Sequence, residues 1–215
     1  ENCDLDDTIT FSEIVYDLEE GSSHLGIQPG EEMTIRDAAY GIMLASANDI
    51  SNGIAEYIGG SLSGFADLMN AKAQELGCVN THFSNPHGLT AADHYTTAYD
   101  LYLIFNKVMQ YDKFVEVIHS TEYSSIYHDK SGAEKELSFK STNQFLSADS
   151  GYKSPDNITV IGGKTGTTEA AGACLMLLSK DTAGNPYISI ILKADDRTVL
   201  YTKMTNLLEA ITKVQ

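Results

Sequence analysis

The stretch ITVIGGKTGTTEAAGACLMLLSKDTAGNPYISIILK, residues 158–193, carries most of the information about the fold. It contains three runs of β-branched or apolar residues at 158–168, 173–179 and 187–193, and the turn sequence DTAGNP lies before the third. Apolar runs rich in β-branched residues and bounded by Gly, Pro and Asn are typical of strands. We therefore predict antiparallel strands in this part of the chain.

Helical patterns lie on both sides of the predicted sheet. A helix from Arg197 would place five apolar residues on one face: Leu200, Met204, Leu207, Leu208 and Ile211. Upstream, Thr-x-x-Asp capping pairs predict helix starts near Thr34 and Thr97. Two more helices are predicted, one through Ile50, Ile54 and Ile58, and one from about Ser61 with Phe65, Leu68, Met69, Ala73 and Leu76 inward.

These patterns predict an α+β architecture. A short strand is expected around Ile9 and Phe11, and the 42% apolar content suffices for one core-forming domain. We expect a single domain over residues 1–215, with a helical lobe over about 1–155, a sheet lobe over about 156–215, and any site between the lobes.

The composition argues against several partners. Because 14 Lys and Arg stand against 30 Asp and Glu, the formal charge of −16 would repel a phosphate backbone, and nucleic acid is not an expected partner. No apolar run is long enough to span a bilayer, and the first residues lack the pattern of a signal peptide. We interpret Glu1 as a cut end and expect any membrane anchor outside this segment.

Neither the cysteines nor the histidines form a metal-binding pattern. Cys3, Cys78 and Cys174 are odd in number and contain no CxxC, so neither a disulfide framework nor a zinc site is expected. Three histidines lie close in sequence without an HExxH motif, in what is predicted to be a loop: His82, His87 and His94. We predict no metal and no cofactor.

Ser46-Ala47-Asn48 lies at a polar break between two predicted helices. Such a break can direct a hydroxyl and an amide into a cleft. The alternative is local capping by either side chain. The pattern alone carries little weight, because Ser-x-Asn occurs again at Ser141-Thr142-Asn143.

Lys164-Thr165-Gly166 is a more specific motif. A phosphate loop is excluded because Ile158 stands where its first glycine is needed and a strand follows instead of a helix. A strand lysine and hydroxyl, followed by a glycine that admits another chain, suit recognition of a terminal carboxylate. The alternative is a solvated lysine on a sheet edge.

A Ser-x-x-Lys sequence occurs at Ser150-Gly151-Tyr152-Lys153. A nucleophile of this type needs a helix, because one turn brings the amine beside the hydroxyl. Glycine, proline and polar residues around this copy indicate a loop, so we do not assign it as the nucleophile.

The order Ser-x-Asn then Lys-Thr-Gly resembles the second and third motifs of penicillin-binding proteins and serine β-lactamases. From Asp6 to about Asp196 the chain resembles, more narrowly, the low-molecular-mass serine D-alanyl-D-alanine carboxypeptidases, whose fold is β-lactamase/transpeptidase-like. The segments that carry this resemblance are 21–50, NPHGL at 85–89 followed by HYTTAYDL at 94–101, STNQFL at 141–146 and GGKTGTTEAAGACL at 162–175.

The resemblance implies a set of roles. Ser46 would relay protons to the leaving amine, Asn48 would hold the substrate amide, and Lys164 with Thr165 would bind the terminal carboxylate. Gly166 and Thr167 would pair with the substrate backbone, and the Thr167 amide would donate to the oxyanion. The implied partners are peptidoglycan stem peptides ending in D-Ala-D-Ala and, for the parent protein, β-lactam antibiotics.

In that family the Ser-x-x-Lys helix precedes the part that resembles the start of this chain, so we expect the nucleophile and its lysine base, with the first strands, to be missing and this piece to be inactive. A β-lactamase-like hydrolase is the enzymatic alternative, although no deacylating carboxylate is assigned. A non-catalytic module that binds cell-wall peptide is the other. Because peptidoglycan lies outside the cytoplasmic membrane, an extracytoplasmic location is expected.

Overall fold

The computed structural model describes residues 3–211 and 213, so Glu1 and Gln215, the predicted ends of the domain, lie outside the described residues. The chain forms two compact units, each built from separate stretches. The first runs up to Glu75 and includes His82–Tyr95 and Glu122–Lys140, whereas the second contains Leu76–Thr81, Thr96–Thr121 and the chain from Ser141 onward.

The first unit is an antiparallel sheet in the order β1-β2-β3-β4, packed with helices. Its core contains Ile9, Phe11, Ile27, Ile50 and Tyr127. The elements, numbered in chain order, are β1 (Thr8–Thr10), β2 (Glu32–Thr34), α1 (Ile35–Ala45), α2 (Asn48–Gly59), α3 (Leu62–Glu75), β3 (Glu122–His128) and β4 (Glu134–Lys140), and a 3₁₀ turn covers Glu13–Tyr16.

The second unit has a three-stranded antiparallel sheet in the order β5-β6-β7. Helix α6 packs on β6 and β7 and contributes Leu200, Tyr201, Met204 and Leu208 to the core. The elements are α4 (Ala98–Val108), α5 (Asp112–His119), β5 (Ile158–Thr168), β6 (Gly172–Asp181), β7 (Pro186–Ala194) and α6 (Arg197–Ile211).

The structure confirms the α+β fold class and most predicted elements. Thr34 and Thr97 cap their helices, each accepting a hydrogen bond from an aspartate amide three residues later at 3.1 Å. The prediction that Leu68 and Leu207 face inward is wrong, since their side chains are 45% and 38% exposed. Each helix buries a narrower face than the sequence pattern suggests. Within residues 3–211 and 213, no helix combines the length and the apolar character that a membrane crossing requires.

The β3–β4 hairpin and the eight-residue helix α5 were not predicted. In β3 the polar Ser125 is buried and the apolar Ile126 is exposed, so apolar and polar residues do not alternate in the sequence as they do in a typical half-buried strand. The predicted lobes are divided at one position in the sequence, near residue 155. The two compact units each consist of three separate stretches of the chain, which a single boundary does not describe.

Candidate active site

The predicted break around Ser46 separates α1 from α2 in the first unit. Ser46 adopts a left-handed conformation, with φ 55° and ψ 44°, and its N–H donates to the Ile42 carbonyl oxygen at 3.1 Å. This is the αL ending of a helix, in which glycine is usual. A serine in this conformation costs about 1–2 kcal/mol, and unfavourable backbone of this kind is often kept for function.

The loop before β2 is hydrogen-bonded to both sides of this break. The Asn48 N–H donates to the Ser23 carbonyl oxygen at 2.9 Å, and the Ser23 hydroxyl donates to the Ala45 carbonyl oxygen at 3.1 Å. Asn48 is buried and begins α2, whereas Ser46 is half-buried. The two predicted residues are therefore held in fixed backbone positions.

Asp49, which was not among the predicted site residues, also holds this loop in place. Its carboxylate is buried, and Oδ2 accepts hydrogen bonds from the backbone N–H groups of Leu25, Gly26 and Ile27 at 2.8–3.1 Å. Several amide donors on one carboxylate oxygen make a strong anchor. The available signal was an acidic residue in the first turn of a predicted helix, which by itself indicates only a favourable interaction with the helix dipole.

In the second unit, Lys164 and Thr165 lie on β5, which is an edge strand of its sheet. The half-buried Lys164 side chain places Nζ 2.8 Å from the Thr165 carbonyl oxygen. Desolvation lowers the pKa of the Lys164 amine to about 8. The Lys164 amine is therefore less hydrated than the amine of an exposed lysine on a sheet edge.

Packing within the protein requires glycine at one position of β5 and not at another. A Cβ added at Gly162 would lie 2.3 Å from the Ile118 carbonyl oxygen at the end of α5, so packing requires glycine there. A Cβ at Gly166 would meet its nearest atom, Cys174 Cβ, only at 4.0 Å. Gly166 is exposed, so internal packing does not require glycine at this position. The adjacent Thr167 is also exposed.

The second Ser-x-Asn segment belongs to this same unit. The Thr142 hydroxyl lies 2.6 Å from the Thr165 hydroxyl. The sequence alone does not predict this contact, because the two residues are 23 positions apart and no local pattern joins them.

The Ser150 segment is a loop, as predicted. Ser150 Oγ accepts from the Tyr152 N–H at 3.0 Å, and Lys153 Nζ donates to the Ala148 carbonyl oxygen at 3.2 Å. Because this serine and lysine are bonded elsewhere, they do not form the hydroxyl–amine pair that a nucleophile needs.

The three neighbouring histidines each use Nδ1 for a backbone hydrogen bond. The partners of His82, His87 and His94 are the Asp93 carbonyl oxygen and the N–H groups of Leu89 and Ser84. In the part of the chain that the structure describes, no group of three or more His, Cys, Asp or Glu residues could hold a metal ion.

The sequence profile of the D-alanyl-D-alanine carboxypeptidase family matches residues 1–196. The chain is 36% identical over 162 residues to D-alanyl-D-alanine carboxypeptidase DacF of Bacillus subtilis (strain 168), covering 74% of this chain and 38% of that protein. It is 31% identical over 189 residues to DacC of Escherichia coli (strain K12), covering 87% and 43%. The chain thus spans less than half the length of these two curated relatives.

The fold is similar to that of solved DD-transpeptidases and carboxypeptidases. A DD-transpeptidase from Streptomyces has a TM-score of 0.84 and 28% identity, covering 97% of this chain and 81% of that chain. DacD from Francisella tularensis has a TM-score of 0.81 and 25% identity, covering 97% and 58%.

Proposed function

Because the chain belongs to the D-alanyl-D-alanine carboxypeptidase family, we propose that it supplies most of the catalytic domain of a serine carboxypeptidase. The proposed substrate is a peptidoglycan stem peptide ending in D-Ala-D-Ala, from which the enzyme releases the last D-alanine. The observation that carries this proposal is the Lys164-Thr165-Gly166 segment, in which a desolvated amine and a hydroxyl precede a glycine with open space around it.

Lys164 and Thr165 would recognise the terminal carboxylate. A carboxylate only accepts hydrogen bonds, and the lysine amine and threonine hydroxyl both donate them. Charge-assisted bonds of this kind are stronger in a poorly hydrated position, where the Lys164 amine lies. A carboxypeptidase needs such recognition, because it must distinguish a free chain end from an internal peptide bond.

Ser46, Asn48 and the strand around Thr167 would act on the scissile peptide. In this proposal the Ser46 hydroxyl passes a proton to the leaving amine, and the Asn48 side chain holds the substrate amide. The exposed end of β5 at Gly166 and Thr167 would pair with the substrate backbone, and the Thr167 N–H would donate to the oxyanion.

The proposed reaction uses a serine nucleophile. Its hydroxyl oxygen attacks the carbonyl carbon of the penultimate D-alanine, the C–N bond breaks, and the departing D-alanine amine takes up a proton. Water then hydrolyses the ester and restores the serine. Ser150-Gly151-Tyr152-Lys153 is the single Ser-x-x-Lys in the 215 residues and forms a loop, so we place the nucleophile and its base outside this chain and expect the chain alone to be inactive.

Two consequences follow from this reaction. The same serine would open the ring of β-lactam antibiotics, which present a strained amide and a carboxylate. The natural protein would act outside the cytoplasmic membrane, where its peptidoglycan substrate lies.

The test is D-alanine release from an acetylated peptide ending in D-Ala-D-Ala, measured on the natural protein including any residues that precede Glu1. We expect release by that protein, none by this chain, and a strong loss in Ser46→Ala with unchanged folding. The peptide ending in L-Ala is the substrate control. Release from both peptides, or full activity of the variant, would contradict the proposal, and rapid penicillin turnover would favour a β-lactamase instead.

A further inference from the structure

The hydrogen bond between the hydroxyls of Thr142 and Thr165 suggests how the proposed carboxylate subsite is set up. The two oxygens lie 2.6 Å apart, within the usual range for a hydroxyl pair. We infer that Thr142 is a positioning residue, which fixes the Thr165 hydroxyl as a donor toward a carboxylate-bearing substrate. This inference rests on the proposed function of Thr165 and adds a residue that does not itself need to touch the substrate.

The direction of the hydrogen bond follows from counting protons. Each hydroxyl has one hydrogen, so only one member of the pair donates to the other. A bound carboxylate offers no hydrogen, and Thr165 must therefore use its own to bind it. Thr142 must then donate to Thr165 Oγ1. A hydroxyl that already accepts a hydrogen bond is also a better donor, because linked hydrogen bonds polarise one another.

The backbone of Thr142 is held firmly enough for this role. The preceding Ser141 N–H donates to the Thr121 carbonyl oxygen at 2.8 Å, and the Gln144 N–H donates to the Tyr201 hydroxyl at 2.9 Å. Tyr201 is fully buried on α6 and stacks on Tyr152, with ring centroids 4.5 Å apart. Its hydroxyl also lies 3.5 Å from the Thr142 carbonyl oxygen.

The neighbouring Asn143 closes the turn. It is buried, its N–H donates to the Ser141 hydroxyl at 3.3 Å, and its Oδ1 accepts from the Phe145 N–H at 3.2 Å. The second Ser-x-Asn sequence is therefore a structural turn that presents Thr142 to β5. Its serine and asparagine bond to the turn itself, and its middle residue reaches the subsite.

The test is steady-state kinetics of the natural protein, including any residues that precede Glu1, with Thr142→Val, Thr142→Ser, Thr165→Val and the double valine variant. Valine matches the shape of threonine and removes the hydroxyl. We expect Thr142→Val to lower kcat/KM for the D-Ala-D-Ala acid by about three- to tenfold, the value of one neutral hydrogen bond. Thr142→Ser should restore most of the activity, because it keeps the hydroxyl.

Two readouts separate positioning from a general structural effect. With the C-terminal amide of the peptide as substrate or competitor, Thr142→Val should have a smaller effect, since the carboxylate is absent. In the Thr165→Val background, adding Thr142→Val should change kcat/KM little, because its route of action is already removed. Equal losses on acid and amide, additive losses in the double variant, or no rescue by serine would overturn the inference.

The outcome also distinguishes this inference from the proposed function. If Thr165→Val leaves recognition of the acid unchanged, the carboxylate assignment itself fails. If Thr165→Val is impaired and Thr142→Val is not, only the role of Thr142 fails. If either valine variant melts at a lower temperature, the ratio of kcat/KM for the peptide acid to kcat/KM for the peptide amide within that variant still decides the question. A positioning role lowers this ratio, whereas a general structural effect leaves it unchanged.

Discussion

Replacing Lys164 by methionine should separate stability from recognition. Desolvation lowers the pKa of the Lys164 amine from 10.5 to about 8, so the charged form is held at an energetic disadvantage in the folded protein. That difference corresponds to about 3 kcal/mol. Methionine keeps most of the aliphatic stem, but it loses the bond from Nζ to the Thr165 carbonyl oxygen, worth about 1 kcal/mol. We expect a net gain of about 1–2 kcal/mol at pH 7, or about 3–6 °C in Tm.

The gain should depend on pH with a defined sign. Below pH 8 the Lys164 amine is charged in both the folded and the unfolded chain, so the full penalty is present. Between pH 8 and 10.5 the folded chain has lost a proton that the unfolded chain keeps, and the penalty falls as pH rises. The wild type should therefore approach the variant in Tm across this window.

Thermal unfolding from pH 6 to 10.5 measures this, with Lys180→Met as a control because Lys180 is exposed on the adjacent strand β6. In the natural protein, including any residues that precede Glu1, Lys164→Met should lower kcat/KM for a D-Ala-D-Ala peptide about 10- to 100-fold, as expected for a lost charge-assisted bond. A lower Tm together with lost turnover would indicate a structural lysine, and a pH-independent difference in Tm would refute the desolvation argument.

Three further variants, two of them with matched controls, test other residues of the two segments and their anchoring. Ser46→Gly should raise Tm by about 1–4 °C, because glycine adopts the left-handed backbone without strain, yet it should abolish D-alanine release. The matched control is Lys193→Gly at φ 56°, which should raise Tm and keep activity. Loss of activity in Lys193→Gly would contradict the assignment of a catalytic role to Ser46. Gly166→Ala should leave Tm nearly unchanged while lowering activity, whereas Gly162→Ala should destabilise the protein by about 1–3 kcal/mol in urea unfolding. A larger loss of stability in Gly166→Ala than in Gly162→Ala would contradict this explanation of the two glycines. Asp49→Ala should destabilise by about 3 kcal/mol or more, since three amides lose their acceptor, and a smaller loss would show that the loop is held by other contacts.

The elements predicted correctly are those whose causes are local. The capping threonines at 34 and 97 sit three residues before the aspartates that complete each cap, so a short window of sequence contains the whole signal. The strands of the second unit are long runs of β-branched or apolar residues, and the turn sequence DTAGNP lies between the last two. The hairpin of β3 and β4 pairs over a full register, Glu122 with Lys140 to His128 with Glu134, but those cross-strand pairs are visible only once the strands meet.

The same distinction holds for the candidate site. The motifs around Ser46 and Lys164 were found because resemblance and spacing mark them. The contact of Thr142 with Thr165 and the anchoring of Leu25–Ile27 by Asp49 depend on tertiary structure, and each joins residues more than 20 positions apart. Desolvation of Lys164 is likewise a property of what packs around the strand, not of the Lys-Thr-Gly sequence.

Covalent labelling by a fluorescent penicillin tests the central claim most directly. Residues 1–215 and the natural protein, including any residues that precede Glu1, would be incubated with the reagent and examined by denaturing electrophoresis and intact mass. We predict a stoichiometric adduct on a serine outside residues 1–215 and none on this chain alone, because Ser150 lies in a loop and Lys153 donates to the Ala148 carbonyl oxygen. A stoichiometric adduct on Ser46 or Ser150 of this chain would contradict it, as would a natural protein that forms none.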